Sequence, residues 1–204
     1  MTRPLHMEIL KRGANAWNQW RFENLSIQPD FVDCNLAGVN LTGYKFVRTD
    51  FYGANLAGAN MSQAYLDGSN LTGANLKGAT LEGATFEGTN LTNANLSDAK
   101  LTDAHFFETV FGNTDLSNAI GLESCRYAGR NVIDIFTIQR FKDLPLTFLR
   151  GCGLPDKLIE YLPSLLAGPI QLHSVFISYS HEDEEFANHL YEVLNGRRQM
   201  LVCP

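Results

Sequence analysis

The chain has 204 residues, 45% of them hydrophobic and 19% charged, a balance that suits a folded soluble domain and excludes a disordered one. Its net charge of −6 argues against general nucleic-acid binding through phosphate neutralisation. No stretch reaches the ~20 apolar residues of a membrane span.

Met1–Lys11 carries Arg3, His6, Glu8 and Lys11 and no apolar run of signal-peptide length. Four well-separated cysteines (Cys34, Cys125, Cys152, Cys203) form no C-x-x-C pair, so zinc and redox motifs are absent. Free thiols without a secretion signal predict a reducing, cytoplasmic setting. Leu10, Ala14, Trp17 and Arg21 fall at helical spacing and predict an amphipathic capping helix within residues 1–28. Trp17 and Trp20 could form a ligand-stacking pair; an aromatic lid over the segment that follows is the stronger expectation.

From Phe31 to Leu116 every fifth residue is Phe, Leu or Met, giving eighteen consecutive centres. Two places before most centres sits a small side chain, as at Ala54, Ala59, Ala74, Ala79, Ala94 and Ala99. Two places after the centre stands Gly, Asn or Asp in fifteen of the eighteen; Arg48, Gln63 and Glu108 depart. A period of five matches neither helix nor strand, and it predicts a chain that turns a corner after each short extended step. Those turn residues tolerate positive φ at least steric cost. The Asn-x-Ser/Thr triplets at Asn40, Asn70, Asn90 and Asn95 arise from the same repeat and are not read as glycosylation sites.

The motif Ala54-Asn55-Leu56-Ala57-Gly58 resembles the pentapeptide-repeat family, over residues 29–120. The resemblance implies a mainly β fold, a right-handed quadrilateral β-helix with four repeats, or 20 residues, per coil and about 4.5 coils here. Centres 20 apart should then stack. Phe31, Phe51 and Phe111 share one column with Leu71 and Leu91; Phe46, Phe86 and Phe106 share the next with Leu66. Thr49, Ser69, Thr89 and Thr109 form a small polar column. Both open ends of such a stack need covers.

The repeat fails at Gly121, and apolar Phe107 and Val110 at outward positions predict that the next segment packs there. Residues 121–170 read as a helical cap or linker, with short helices over 132–149 and 154–167 punctuated by Pro145, Gly151-Cys152-Gly153 and Pro163. The Gly151-x-Gly153 pair follows no strand and lacks a third glycine, so nucleotide binding is not expected from it. Leu146–Asp156 resembles a linker that joins pentapeptide repeats to a signalling domain in bacterial proteins.

Within residues 171–204, Val175-Phe-Ile-Ser-Tyr-Ser180 has the character of a buried strand. Acidic His181–Glu185 follows, then Phe186, Ala187, Leu190, Val193 and Leu194 at helical spacing. Phe176–Asp183 resembles the first strand and loop of a TIR (Toll/interleukin-1 receptor) domain. That resemblance implies a truncated α/β unit, since the catalytic glutamate region of a full domain would lie beyond Pro204. It places Ser180, His181 and Asp183 in the loop that lines a nucleotide pocket in NAD-cleaving bacterial relatives; the simpler reading has Asp183 capping a helix and the others solvated. No catalytic residue, metal or cofactor is expected for this chain. The leading expectation is a non-catalytic interaction scaffold related to bacterial TIR signalling or phage-defence proteins, with a protein partner or self-association.

Two alternatives stand beside it. Some pentapeptide-repeat proteins mimic duplex DNA and bind type II topoisomerases. Residues 31–120 carry nine acids and four bases, a net −5, where a duplex of ~20 Å would carry on the order of twelve negative charges. The other alternative is a fragment of a full-length TIR NAD hydrolase. Five scattered histidines (His6, His105, His173, His181, His189) show no metal-ligand spacing, and Tyr52 and Tyr65 are the expected exposed aromatics.

Overall fold

The computed structural model describes residues 3–140 and 144–166. The chain divides into two units, Met1–Pro163 and Ser164–Pro204, and nearly all of the second lies outside the described residues.

All eighteen centres from Phe31 to Leu116 are buried, and so are the alanines two places before them. Fifteen parallel bridges join residues 20 apart, from Asp30–Asp50 to Lys100–Ile120. The coil of four pentapeptides is therefore present. It carries little continuous sheet, because each side of the square contributes one bridging residue between two turns. Every one of the eighteen positions two after a centre has positive φ, including Arg48 (56°), Gln63 (55°) and Glu108 (51°). The corner demands the left-handed conformation whatever the residue, which is why glycine, asparagine and aspartate prevail there.

The expected columns are present. Phe31 and Phe51 stack at 5.3 Å between ring centroids, and Phe86 and Phe106 at 4.9 Å. Thr49, Ser69, Thr89 and Thr109 are all buried. Thr89 and Thr109 donate their hydroxyls to the carbonyls of Leu66 and Phe86, one coil back.

The ladder runs on past Gly121, where the sequence pattern stops. Strand β1 (His105–Phe107) pairs in parallel with β3 (Arg126–Ala128), and β2 (Val110–Phe111) with β4 (Val132–Ile133). The offset is 21 residues in the first pair and 22 in the second, so the five-residue register is lost although the coil is not. Gly121 marks the slip. Its φ is +88° and its Cα passes so close to Thr102 that a Cβ would lie 2.5 Å from the Thr102 nitrogen; Leu122 takes the inward place instead. Tyr127 continues the Phe86–Phe106 stack at 5.7 Å, and Asn131, which immediately precedes β4 as Thr109 precedes β2, follows Thr109 in the polar column. Gly129 packs on Phe107, where an added Cβ would fall 2.8 Å from the ring, although Phe107 itself stays exposed.

Three short helices follow: α3 (Ile135–Arg140), α4 (Leu146–Gly151) and α5 (Asp156–Leu166). Residues 132–133, expected to be helical, are the last rung of the ladder, and Pro163 lies inside α5 instead of ending it. At the other end the single expected helix is two, α1 (Arg3–Lys11) and α2 (Ala14–Glu23), broken at Gly13 with φ +97°. Leu10, Trp17 and Arg21 are buried as the stripe requires, because both helices turn the same apolar side inward.

Candidate functional site

The outward surface of the coils is built from the residue before each centre and the two after it. The asparagine of the motif has a structural task that the periodicity alone did not reveal. Its side-chain oxygen accepts the N–H two residues on, as from Asn55 to Ala57, Asn70 to Thr72, Asn75 to Lys77 and Asn90 to Thr92. These Asx turns hold the corner in place. The amide then donates down the column, Asn55 to Asn35 at 3.1 Å and Asn75 to Asn55 at 3.3 Å. Much of the amide surface is thus occupied by the scaffold itself.

Charge adds little organisation. Asp67 and Glu87 are vertical neighbours, the Asp67 carboxylate accepting the Glu87 N–H at 3.0 Å. Lys77 and Asp98 meet at 3.9 Å on the open surface, a pair worth at most about 1 kcal/mol. Tyr52 and Tyr65 are exposed, as expected.

Both ends of the stack are closed by side chains that stand where another coil's backbone would. On α2, Asn18 accepts the Lys45 N–H at 2.8 Å and donates to the Gly43 carbonyl at 3.0 Å. The Trp17 indole N–H donates to the Lys45 carbonyl at 2.9 Å. Arg21 donates to the carbonyls of Val47 (2.9 Å), Ile27 (2.7 Å) and Asn24 (3.2 Å). On α1, His6 Nδ1 accepts the Asp30 N–H at 3.1 Å. Trp17 is fully buried, its ring within 5.5 Å of Phe31 and 5.4 Å of Phe46 and its edge against Trp20 at 5.2 Å. That packing occupies the tryptophan pair with protein and removes it as a ligand platform.

At the far end Ser124 accepts the Asp103 N–H and Asn131 the Thr109 N–H, at 3.1 and 3.0 Å. Asp134 caps α3 through Thr137 and also accepts the Asn113 N–H at 3.0 Å; Thr137 accepts the Thr114 N–H at 3.1 Å. Phe148 of α4 sets its edge against Phe111 and Tyr127. Gly151 is required by packing, since a Cβ there would fall 2.2 Å from Tyr127, and Gly153 (φ +79°) ends α4 in a left-handed turn.

Chemistry is sparse. Burial pushes the Cys125 thiol up to about 11 and the Cys152 thiol up to about 12, so both stay protonated. Cys125 takes the small position of the Ala84–Ala104 column and donates to the Leu101 carbonyl. No group of three His, Cys, Asp or Glu among the described residues could hold a metal ion. Ser180, His181 and Asp183 lie outside the described residues, as does the whole TIR-like segment.

The pentapeptide-repeat family model matches in eight copies, over residues 34–73, 69–106 and 86–120. Residues 34–120 are pentapeptide repeats. Several solved structures are similar to the chain. One is a pentapeptide repeat protein from the thylakoid lumen of Arabidopsis thaliana, 25% identical, over 64% of this chain and 74% of that one, with a TM-score of 0.43. Another is Rfr23 from the cyanobacterium Cyanothece 51142, 25% identical over 57% of this chain and 97% of that one, at 0.44. A trypsin-treated form of QnrB1, a plasmid-mediated fluoroquinolone resistance protein, is 18% identical over 70% and 89%, at 0.29. No curated relative matches the sequence. No helix among the described residues is long and apolar enough to cross a membrane.

Proposed function

We propose that the pentapeptide-repeat stack is a non-catalytic interaction scaffold that offers rigid faces to a protein partner or to further copies of itself. The observation that carries this reading is how much of the stack's polar surface is occupied by its own contacts. Its polar surface is tied into Asx turns and amide columns, its ends are closed by side chains, and its buried thiols are protonated. Such an arrangement positions surfaces; it does not activate a nucleophile or a water. A photo-cross-linking residue at Tyr52 or Tyr65 in the native host tests it. A discrete adduct at one face, lost when the neighbouring outward residues are changed to glutamate, is the expected result. Cross-linking no stronger than from a randomly chosen surface position would set the reading aside.

The similarity of Phe176–Asp183 to a TIR strand and loop supports a finer version, in which the stack carries a piece of a bacterial TIR signalling or defence effector in the cytoplasm. Ser180, His181 and Asp183 would then belong to its pocket loop. This chain is expected to show no NAD cleavage above a buffer blank. Turnover that survives Asp183→Ala would overturn that assignment, and a longer native product found by intact-mass spectrometry would favour the full-length NAD hydrolase. The DNA-mimic alternative rests on the net −5 of residues 31–120 and the Asp67–Glu87 pair. Inhibition of a type II topoisomerase in a supercoiling assay, abolished by Asp67→Asn with Glu87→Gln, would move it ahead of the scaffold reading.

A further inference from the structure

His6 is the one described histidine taken fully out of water, with 1% of its surface exposed. It sits at the junction of three elements: its own helix α1, Trp20 of α2 at 5.3 Å between ring centroids, and Phe31 of the first repeat at 6.3 Å. Nδ1 accepts the Asp30 N–H, so that nitrogen carries a lone pair and the neutral ring keeps its proton on Nε2. Nε2 is buried and has no partner among the described residues. A second proton on Nδ1 would oppose the Asp30 N–H donor to donor, and the new cation would be buried with no acceptor at Nε2.

We propose that His6 is an acid-sensitive latch that holds α1 and α2 on the first coil. Above the imidazole range the neutral ring completes the first rung of the ladder; below it the helix pair is released. Three charges act on the ring: the Arg21 guanidinium from α2, the Asp30 carboxylate from the first repeat, and the amino-terminal charge on its own side. Burial is the largest influence and lowers the imidazole below 6.5; the hydrogen bond with the Asp30 backbone and the Asp30 carboxylate favour protonation, and the amino terminus and Arg21 oppose it. The sign follows. A base whose folded value is depressed contributes stability in full above the unfolded value of about 6.5, and loses it as the pH falls from there through the folded value. Within that window the release equilibrium shifts up to tenfold per pH unit, the limit for one proton. Release would strip Lys45, Val47 and Asp30 of the side-chain partners that close their ladder edge.

The chain has two tryptophans, Trp17 and Trp20, and both lie on α2, so their emission reports this cap alone. The test titrates the 204-residue chain from pH 8 to pH 5 and follows tryptophan emission beside far-ultraviolet circular dichroism. The expected result is a red shift of emission below about pH 6.5 while the β signal of the coils persists. His6→Asn, whose side-chain oxygen can accept the Asp30 N–H without titrating, is expected to abolish the shift. Constant emission down to pH 5, or the same midpoint in His6→Asn, would overturn the proposal. Should His6→Asn lose the fold at pH 8, the histidine NMR titration of the natural chain decides: a His6 ring that titrates at or above its ordinary value refutes the latch, and one that titrates below it in step with the tryptophan signal supports it.

Discussion

The middle of the stack and its two ends solve one problem by opposite means. In the middle, each backbone group finds its partner because the next coil repeats the last: Leu71 donates to Asn90, Leu91 to Val110, and Asn75 to Ala54. Few of these backbone groups rely on a side chain from the next coil, the Glu87 N–H on the Asp67 carboxylate being one that does. At the ends the described residues form no further coil, and single side chains take its place: His6, Trp17, Asn18 and Arg21 on one side, Ser124, Asn131, Asp134 and Thr137 on the other. Repetition makes the middle tolerant and leaves the ends dependent on individual residues.

The sharpest way to break this contrast is to remove one anchor from each region. Trp17→Ala deletes a fully buried aromatic that touches Phe31, Phe46 and Trp20 and leaves the Lys45 carbonyl without its donor. A loss of about 3–5 kcal/mol is expected in chemical denaturation. Leu71→Ala, one centre of a column continued above and below it, is expected to cost about 2–4 kcal/mol. Amide exchange adds the distinction: the first substitution should deprotect residues 30–48 locally, and the second should lower the whole stack together. Equal and global loss in both would mean that the ends are no more separable than the middle.

A gentler comparison sets two asparagines against each other. Asn131 is buried, accepts from Thr109 and donates to the carbonyls of Ala128 and Gly151. Asn131→Ala leaves a buried N–H and carbonyls unpaired, for an expected loss of about 1–3 kcal/mol. Asn75→Ala removes an Asx turn that water can replace, and less than about 1 kcal/mol is expected. If the two cost the same by thermal unfolding, the end is not held by its side chains in the way argued above.

These asparagines also show where the sequence was legible. Eighteen centres and their small partners could be read directly, because a strict period of five runs through the middle without interruption, and the columns followed from the coil of four repeats that the family resemblance implied. Asn131 could not, since offsets of 21 and 22 carry the ladder out of that period just where side chains begin to replace backbone. The same holds for His6, a lone histidine in a helix whose partner is a backbone N–H 24 residues away. The helical stripe from Leu10 to Arg21 was legible while its break was not, because Gly13 bends the backbone without disturbing the apolar spacing. The expected pocket-loop residues Ser180, His181 and Asp183 lie outside the described residues, so no geometry bears on them.

The smallest effect concerns the corners and should have the opposite sign. Gln63 holds φ at +55° in a column where Gly43 and Gly83 occupy the neighbouring corners at +69° and +63°. Its exposed side chain has no hydrogen-bond partner among the described residues, while its N–H donates to the Glu82 carbonyl like every other corner of the middle. The left-handed conformation costs a residue with a Cβ about 1–2 kcal/mol, and glycine's extra freedom in the unfolded chain returns about 0.5–1 kcal/mol of that. Gln63→Gly is therefore expected to stabilise the stack by up to about 1 kcal/mol, read as a raised denaturation midpoint with unchanged slope. The reverse change at Gly83, to glutamine, should destabilise by a similar amount. Destabilisation by Gln63→Gly would show that the outward side chain contributes through its neighbours, and the corner could no longer be treated as a matter of backbone conformation alone.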